Sequence, residues 1–376
     1  MLQTPNLNDI AARVAAGERI SRADALELYL RGDLLDLGQL AQKVRFRINP
    51  ENRATYLIDR NINYTNVCNS DCSFCAFYRR DSKASDAYVN SKEVIGKKIE
   101  EALAWGATRI LLQGGHNDEL PYQYYPDLIQ WITSRYPIEL NAFSPSEIHQ
   151  MVKVSGKDIR TVLCDLQSAG MKGLPGGGAE ILDDEIRKIV SPKKIKTQEW
   201  LDVMAVSHEL GLTTTASMVI GMGEDVHHRI NHLERLRELQ DRSRAAGYTG
   251  FNLFISWNLV ADENTPMSRS KHRVDRQVHA VEYLRNLAVS RIFLDNIPHH
   301  QSSWPTLGPH VAQMGLQFGC DDFGSTMMEE NVVSQAGAPT KSKWAMSPEE
   351  LQAFIRSAGF TPAQRNTSFE ILKVID

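Results

Sequence analysis

Two rhythms of polar and apolar residues divide this chain. Residues 1–50 carry a helical one: "ISRADALELYL" sets Ser21 and Asp24 at capping-box spacing and follows them with Ala25, Leu26, Leu28 and Leu30. Beyond them, short apolar or β-branched runs ending in Gly, Ser, Asn or Asp alternate with amphipathic stretches. The runs predict strands at 61–65, 109–115, 138–144, 171–177, 213–221, 250–257, 292–298 and 317–325. The fourth is the weakest, because Pro175 and three glycines suit a strand end better than a strand. Helices are predicted between them, among them 198–211 with Gly211 as its stop, and 272–292. Ser347 and Pro348 open one more near the C-terminus.

Strands alternating with helices imply an α/β fold with a parallel sheet. Eight such units over about 270 residues fit a TIM-like (βα)8 barrel. No GxGxxG follows the first strand, which argues against a dinucleotide fold. The expected organisation is a helical extension over 1–50, the barrel over 51–335 and a helical tail over 336–376 packed on it. In such a barrel the site sits at the C-terminal strand ends. The polar segments lie there: Cys68–Cys75, "QGGHND", "AFSPSE", "PGGGAE", "GMGED", "SWN", "DNIPHHQSSW" and "CDDFGST".

Composition narrows the function classes. A net charge of −4 gives no basic field for nucleic acid. The N-terminus has no apolar signal-peptide core, and no run approaches the roughly 18 apolar residues of a membrane span. Five cysteines, three of them clustered, do not read as a disulfide framework, so a reducing cytoplasm is the expected setting.

The cluster is Cys68, Cys72 and Cys75, a CxxxCxxC loop. Thiolates suit zinc or iron–sulfur centres. A structural zinc needs four ligands, and this loop offers no fourth; the nearest histidine is His116. Three cysteines on a 4Fe-4S cluster leave one iron open to a substrate. Cys164 and Cys320 are isolated and read as buried small hydrophobes.

CxxxCxFC after the first strand of a βα barrel resembles the radical S-adenosylmethionine (SAM) superfamily. The resemblance implies that the open iron binds the amino and carboxylate groups of SAM, and that a reduced cluster releases a 5′-deoxyadenosyl radical. Gln113, Gly114 and Gly115 of "QGGH" resemble the segment that meets the SAM amino group. "MVIGMGED", with Ile220 and Glu224, resembles the motif that lines the adenine. Phe74 is then expected beside the cluster and Tyr78 against the adenine.

A finer likeness runs from about residue 50 onward, to the futalosine group of the menaquinone pathway. It rests on "NYTNVCNSDCSFCAFYR", "FSPSEI", "LPGGGAEIL", "SPKK" with Trp200, "DNIPHHQSSW", "FGSTMMEENVV" and "QRNTSFEIL". The group includes aminofutalosine synthases, deazaflavin-ring synthases and synthases that cyclise dehypoxanthine futalosine; "LPGGGAEIL" with "STMMEENVV" is most like the last. This implies hydrogen abstraction at C4′ of the ribose, attack on the aromatic ring, and an electron donor such as flavodoxin or ferredoxin. Ser144, Glu180 and Arg187 are the further cofactor candidates. Glu147, Trp257, Arg291, His300, Trp304, Glu329 and Glu330 are the candidates for substrate hydroxyls, benzoate carboxylate and ring. Asp295, Asp322 and His116 are candidate bases. The chain departs from the group's pattern at Asp225, Ser256, Asp321 and the segment after Trp304.

Overall fold

The computed structural model describes residues 6–261, 264–269, 278–338 and 345–375. Eleven strands form one sheet: β1 Arg53–Leu57, β2 Asp59–Asn63, β3 Arg109–Gln113, β4 Glu139–Ala142, β5 Gly173–Leu174, β6 Thr213–Ile220, β7 Phe251–Asn258, β8 His299–Gln301, β9 Asp322–Ser325, β10 Thr361–Arg365 and β11 Ile371–Val374. From β2 to β9 neighbours are consecutive and parallel. β9 pairs in parallel with β1, and β1 runs into β2 with only Ile58 between them. The ring therefore closes through one kinked strand, also joined to the β9 end by the Asn61 N–H to Met328 carbonyl bond of 2.9 Å. This is the eight-stranded TIM-like barrel, with its helices on the outside.

Several elements differ from expectation. The residues at 53–57 form β1, an added strand segment before the first predicted one. β2 reads "DRNIN", yet all five residues are buried. Each of its polar side chains has a partner: Asp59 with Arg109, Arg60 with Glu101 and Glu329, Asn61 with Glu330, and Asn63 with the Gln113 carbonyl and Asn331. The run at 292–298 is not a strand. It is the end of helix Ala280–Phe293 and a turn, and the strand is the polar His299–Gln301. Burial on all sides made the helix end read as a strand: Arg291, Ile292 and Phe293 are enclosed between the barrel and helix Leu34–Ile48. Part of the predicted helix 272–292 lies outside the described residues.

The tail is not wholly helical either. Helix Pro348–Ser357 is followed by β10, which pairs in parallel with β1 from Arg53↔Thr361 to Tyr56↔Gln364, and by antiparallel β11. At the other end of the chain, helix Arg22–Arg31 starts with the expected Ser21–Asp24 capping box and packs on helices Val226–Ala245 and Ala280–Phe293. No helix of the described residues is long and apolar enough to cross a membrane.

Two core histidines set an acid limit on this packing. His208 bonds Ser243 and Thr214, and His232 accepts from the Leu182 N–H. Burial lowers both to about 3. Both are neutral when folded and protonate near 6.5 when unfolded. The stability they give is therefore full above pH 6.5 and is lost as pH falls toward 3. Chemical denaturation should show these two contributing about 2–3 kcal/mol of the loss between pH 7 and 5.5, a contribution removed in a His208→Gln, His232→Gln variant.

Candidate active site

A cavity of about 350 Å³ opens at the C-terminal ends of the strands. Its construction begins with the cysteine loop. The backbone of Val67 and Cys68 pairs with Arg79, and the Ser73 N–H donates to the Val190 carbonyl at 2.8 Å. These bonds fold 68–75 over the barrel mouth, and all three thiols line the cavity. Beneath the loop, Gly115 passes so close that a Cβ would lie 2.1 Å from the Val67 carbonyl oxygen and 2.8 Å from Cys68 Cβ. The glycine of "QGGH" is thus a packing requirement of the cysteine loop.

Among the described residues one set of three metal-ligating atoms lies within 4.8 Å of one another, and it is Asp183, Glu185 and His228, not the cysteines. Tetrahedral zinc at 2.3 Å from each sulfur needs thiolates about 3.8 Å apart. The wider cysteine triangle suits a multi-iron cluster better than one zinc ion. Burial pushes the Cys72 thiol up to about 12 and raises Cys75 as well. Loading a metal here therefore releases protons. The Lys194 ammonium opposes that shift at Cys72.

The walls follow. Ser144 caps helix Pro145–Ser155, and Glu147 closes the reciprocal capping bond. The second oxygen of Glu147 accepts from the Gly114 N–H at 2.9 Å and from the Tyr64 hydroxyl at 3.0 Å. Burial raises the Glu147 carboxyl above its ordinary value. Glu180, at φ +43°, receives the Lys194 ammonium at 2.8 Å and the Arg187 guanidinium at 3.3 Å, and the two cations hold it below the usual range against burial. Arg187 itself does not reach the cavity. It ties the carbonyls of Gly178, Ala179 and Ile195 together, bracing the "GGGAE" loop from behind. Phe74, Tyr78, Gln113, His116, Trp257 and Glu330 complete the predicted residues on the cavity surface. Burial lowers His116 to about 3, and its Nδ1 lies 2.9 Å from the Ser70 hydroxyl. Glu330 accepts from Asn61 and from the Val332 and Val333 amides.

The remaining candidates lie elsewhere. Asp295 pairs with Arg19 in the turn before β8, at the barrel's other end. Asp322 starts β9 and is locked to Arg365 and Thr55. Arg291 is buried near the N-terminal end of β8, donating to Ile297 and Pro298. His300 packs against Phe254, 5.3 Å between ring centres. Trp304 donates to the Ser325 carbonyl, and Glu329 is held by Arg60 and Lys98. Ile220 ends β6, and Glu224 folds back on its own turn, so both shape the wall from behind. For Asp295 and His300 the cause is the strand assigned to 292–298, which puts the mouth just after residue 298, whereas β8 runs from His299 to Gln301 and these two residues lie before or within it.

Sequence reasoning passed over Lys194, Asn61, Asn63, Thr215 and Ser217, all of which face the cavity. Lys194 stands in the quoted "SPKK" without any periodicity to mark it. The others occupy strand positions whose inward direction only the register reveals.

Comparison with known proteins bears on this geometry. Residues 62–236 match the radical SAM superfamily model, and residues 248–376 match the CofH/MqnC C-terminal region. The chain is 44% identical to a cyclic dehypoxanthine futalosine synthase of Halalkalibacterium halodurans, over 99% of this chain and 96% of the relative. It is 39% identical to a 5-amino-6-(D-ribitylamino)uracil–L-tyrosine 4-hydroxyphenyl transferase of Methanopyrus kandleri, over 93% and 92%. The FeFe-hydrogenase maturase HydG of Carboxydothermus hydrogenoformans shares the fold, with TM-score 0.73 at 18% identity over 96% of this chain and 80% of that one. The chain is thus an enzyme of the radical SAM superfamily, which works with a 4Fe-4S cluster and SAM, and it carries a CofH/MqnC-type C-terminal region.

Proposed function

We propose that this enzyme converts dehypoxanthine futalosine to its cyclic product in menaquinone biosynthesis, in the cytoplasm, with flavodoxin or ferredoxin as electron donor. The observation that carries the reading is the 44% identity to a synthase of that name over nearly the whole of both chains. Cys68, Cys72 and Cys75 would hold the cluster. Gln113–Gly115, Ser144 and Glu180 would face the SAM head group and ribose, and Tyr78 with the 220–224 turn would face its adenine. When bound, cluster and SAM supply a 5′-deoxyadenosyl radical that takes a hydrogen atom, here from C4′ of the substrate ribose. The net change in the substrate is the loss of two hydrogens and the gain of one C–C bond.

The chain's own groups suit that change. Leu111, Ile255, Trp257 and Val332 give the cavity apolar surface for an aromatic ring, and Asn61, Asn63 and Thr215 give it polar groups for sugar hydroxyls. Of the candidate bases only His116 faces the cavity, and it is held neutral. Burial also raises the Glu330 and Glu147 carboxyls on the cavity surface, which favours their protonated forms.

The likeness to the transferase supports a second reading, a related radical reaction on another ring system. One assay separates the two. Anaerobically reconstituted enzyme, SAM, reductant and dehypoxanthine futalosine should give a product lighter by two hydrogens. SAM cleavage with recovered, unchanged substrate favours the second reading.

A further inference from the structure

The N-terminal helices lie outside both matched spans, 62–236 and 248–376. One of their side chains nevertheless connects to the cavity wall. Tyr29, buried in helix Arg22–Arg31, accepts a 2.7 Å hydrogen bond from Arg229 Nη1 and donates one of 3.1 Å to Asn286. Arg229 turns its Nε and Nη2 to Glu224, at 2.8 and 2.7 Å, and its Nη2 also to Glu282 at 2.8 Å. The Glu224 carboxylate, fully enclosed, receives the amides of Gly221 at 2.8 Å and Met222 at 2.6 Å.

The end of this chain is the turn that needs it most. Gly221 and Gly223 sit at φ +97° and +96°, so no side chain of theirs restrains the backbone. Its shape depends on the Glu224 clamp, and Met222 carries that shape to the cavity surface. Glu224 in turn depends on where the Arg229 fork points. That fork is shared between two carboxylates, and the Tyr29 hydroxyl holds its third side. Burial raises the phenol to about 12, so it stays protonated and can donate to Asn286 while it accepts from Arg229. Asn286 passes the contact to Ser256 on β7 at 2.8 Å, which anchors the tyrosine from a second direction.

We propose that Tyr29 is a positioning residue of the active site: by holding Arg229 it fixes Glu224, and with it the 221–224 turn against which the adenosine of SAM lies. The N-terminal helices thereby set cofactor affinity. This rests on the placement of adenine given above.

The test uses full-length, reconstituted enzyme and follows 5′-deoxyadenosine formation against SAM concentration. Tyr29→Phe is expected to raise KM for SAM about tenfold, the effect of one lost hydrogen bond to a charged group, with kcat and iron content held and the folded state only modestly destabilised. Glu224→Gln should raise it at least as much. The double variant should be no worse than Glu224→Gln alone, because both act through one clamp. If Glu224→Gln raises KM and Tyr29→Phe does not, the relay is wrong and the adenine placement stands. If neither does, the placement itself fails. Additive effects in the double variant would also overturn the relay. Should Tyr29→Phe fold poorly, Arg229→Lys keeps the charge, loses the fork, and is expected to show the same selective rise in KM.

Discussion

Replacing Cys72 with alanine is expected to lower turnover at least about a thousandfold, because radical chemistry has no slower parallel route through the protein alone. The barrel should survive. Cys72 contributes one small buried side chain, and its loss costs about 1 kcal/mol, as for a deleted methyl-sized group. The loop around it is held by backbone bonds from Cys68 to Arg79 and from Ser73 to Val190, which the substitution leaves intact. Iron content, visible absorbance and circular dichroism make the comparison. A variant that loads a full cluster and cleaves SAM would remove Cys72 from the site. A wild-type protein that instead holds one tightly bound zinc, and unfolds when it is chelated, would turn the loop into a structural metal site.

The second large effect falls on stability. Asp322→Asn should destabilise the fold by about 3–5 kcal/mol, the usual consequence of leaving one partner of a buried pair uncompensated. Asp322 accepts from Arg365 at 2.5 Å, from the Thr55 hydroxyl at 2.6 Å and from the Gly324 amide at 2.9 Å. Both charged side chains are at most 2% exposed. The urea midpoint should fall accordingly, while kcat of the protein that remains folded changes less than about threefold. A base in the reaction would behave in the opposite way, with kcat down by about 10²–10⁴ and stability kept. The pair of measurements thus decides whether this carboxylate serves the barrel or the chemistry.

The sequence made some of this visible and hid the rest for physical reasons. Cysteine spacing, strand–helix alternation and the Gly-rich strand ends are local signals, and they carried the barrel and the cavity rim. β2 was harder to bound, because its polar residues are buried through partners more than 40 residues away, Glu101, Arg109, Glu329 and Glu330. Helix Ala280–Phe293 was legible up to Ile292, but its fully buried end merges with the apolar turn after it, and that run read as a strand. The tail strands have no apolar rhythm: every residue of β11 is exposed, and β10 exists because β1 offers it an edge. Register also settles the unusual residues. Ser256 is turned outward to Asn286, and Asp321 is bound to Asn49 and His299 at the barrel's far end. Of the segment after Trp304, Thr306 faces the cavity.

The kinked strand that closes the ring ties the timing of assembly to the order of synthesis. β1 emerges early, but its two neighbours are β9 and β10, about 270 and 310 residues later in the chain. The cysteine loop directly after β2 is likewise made before most of the walls it will share with residues 215–336. On the ribosome the three thiols are therefore presented without their enclosure, and the barrel mouth takes shape only as the last strands arrive.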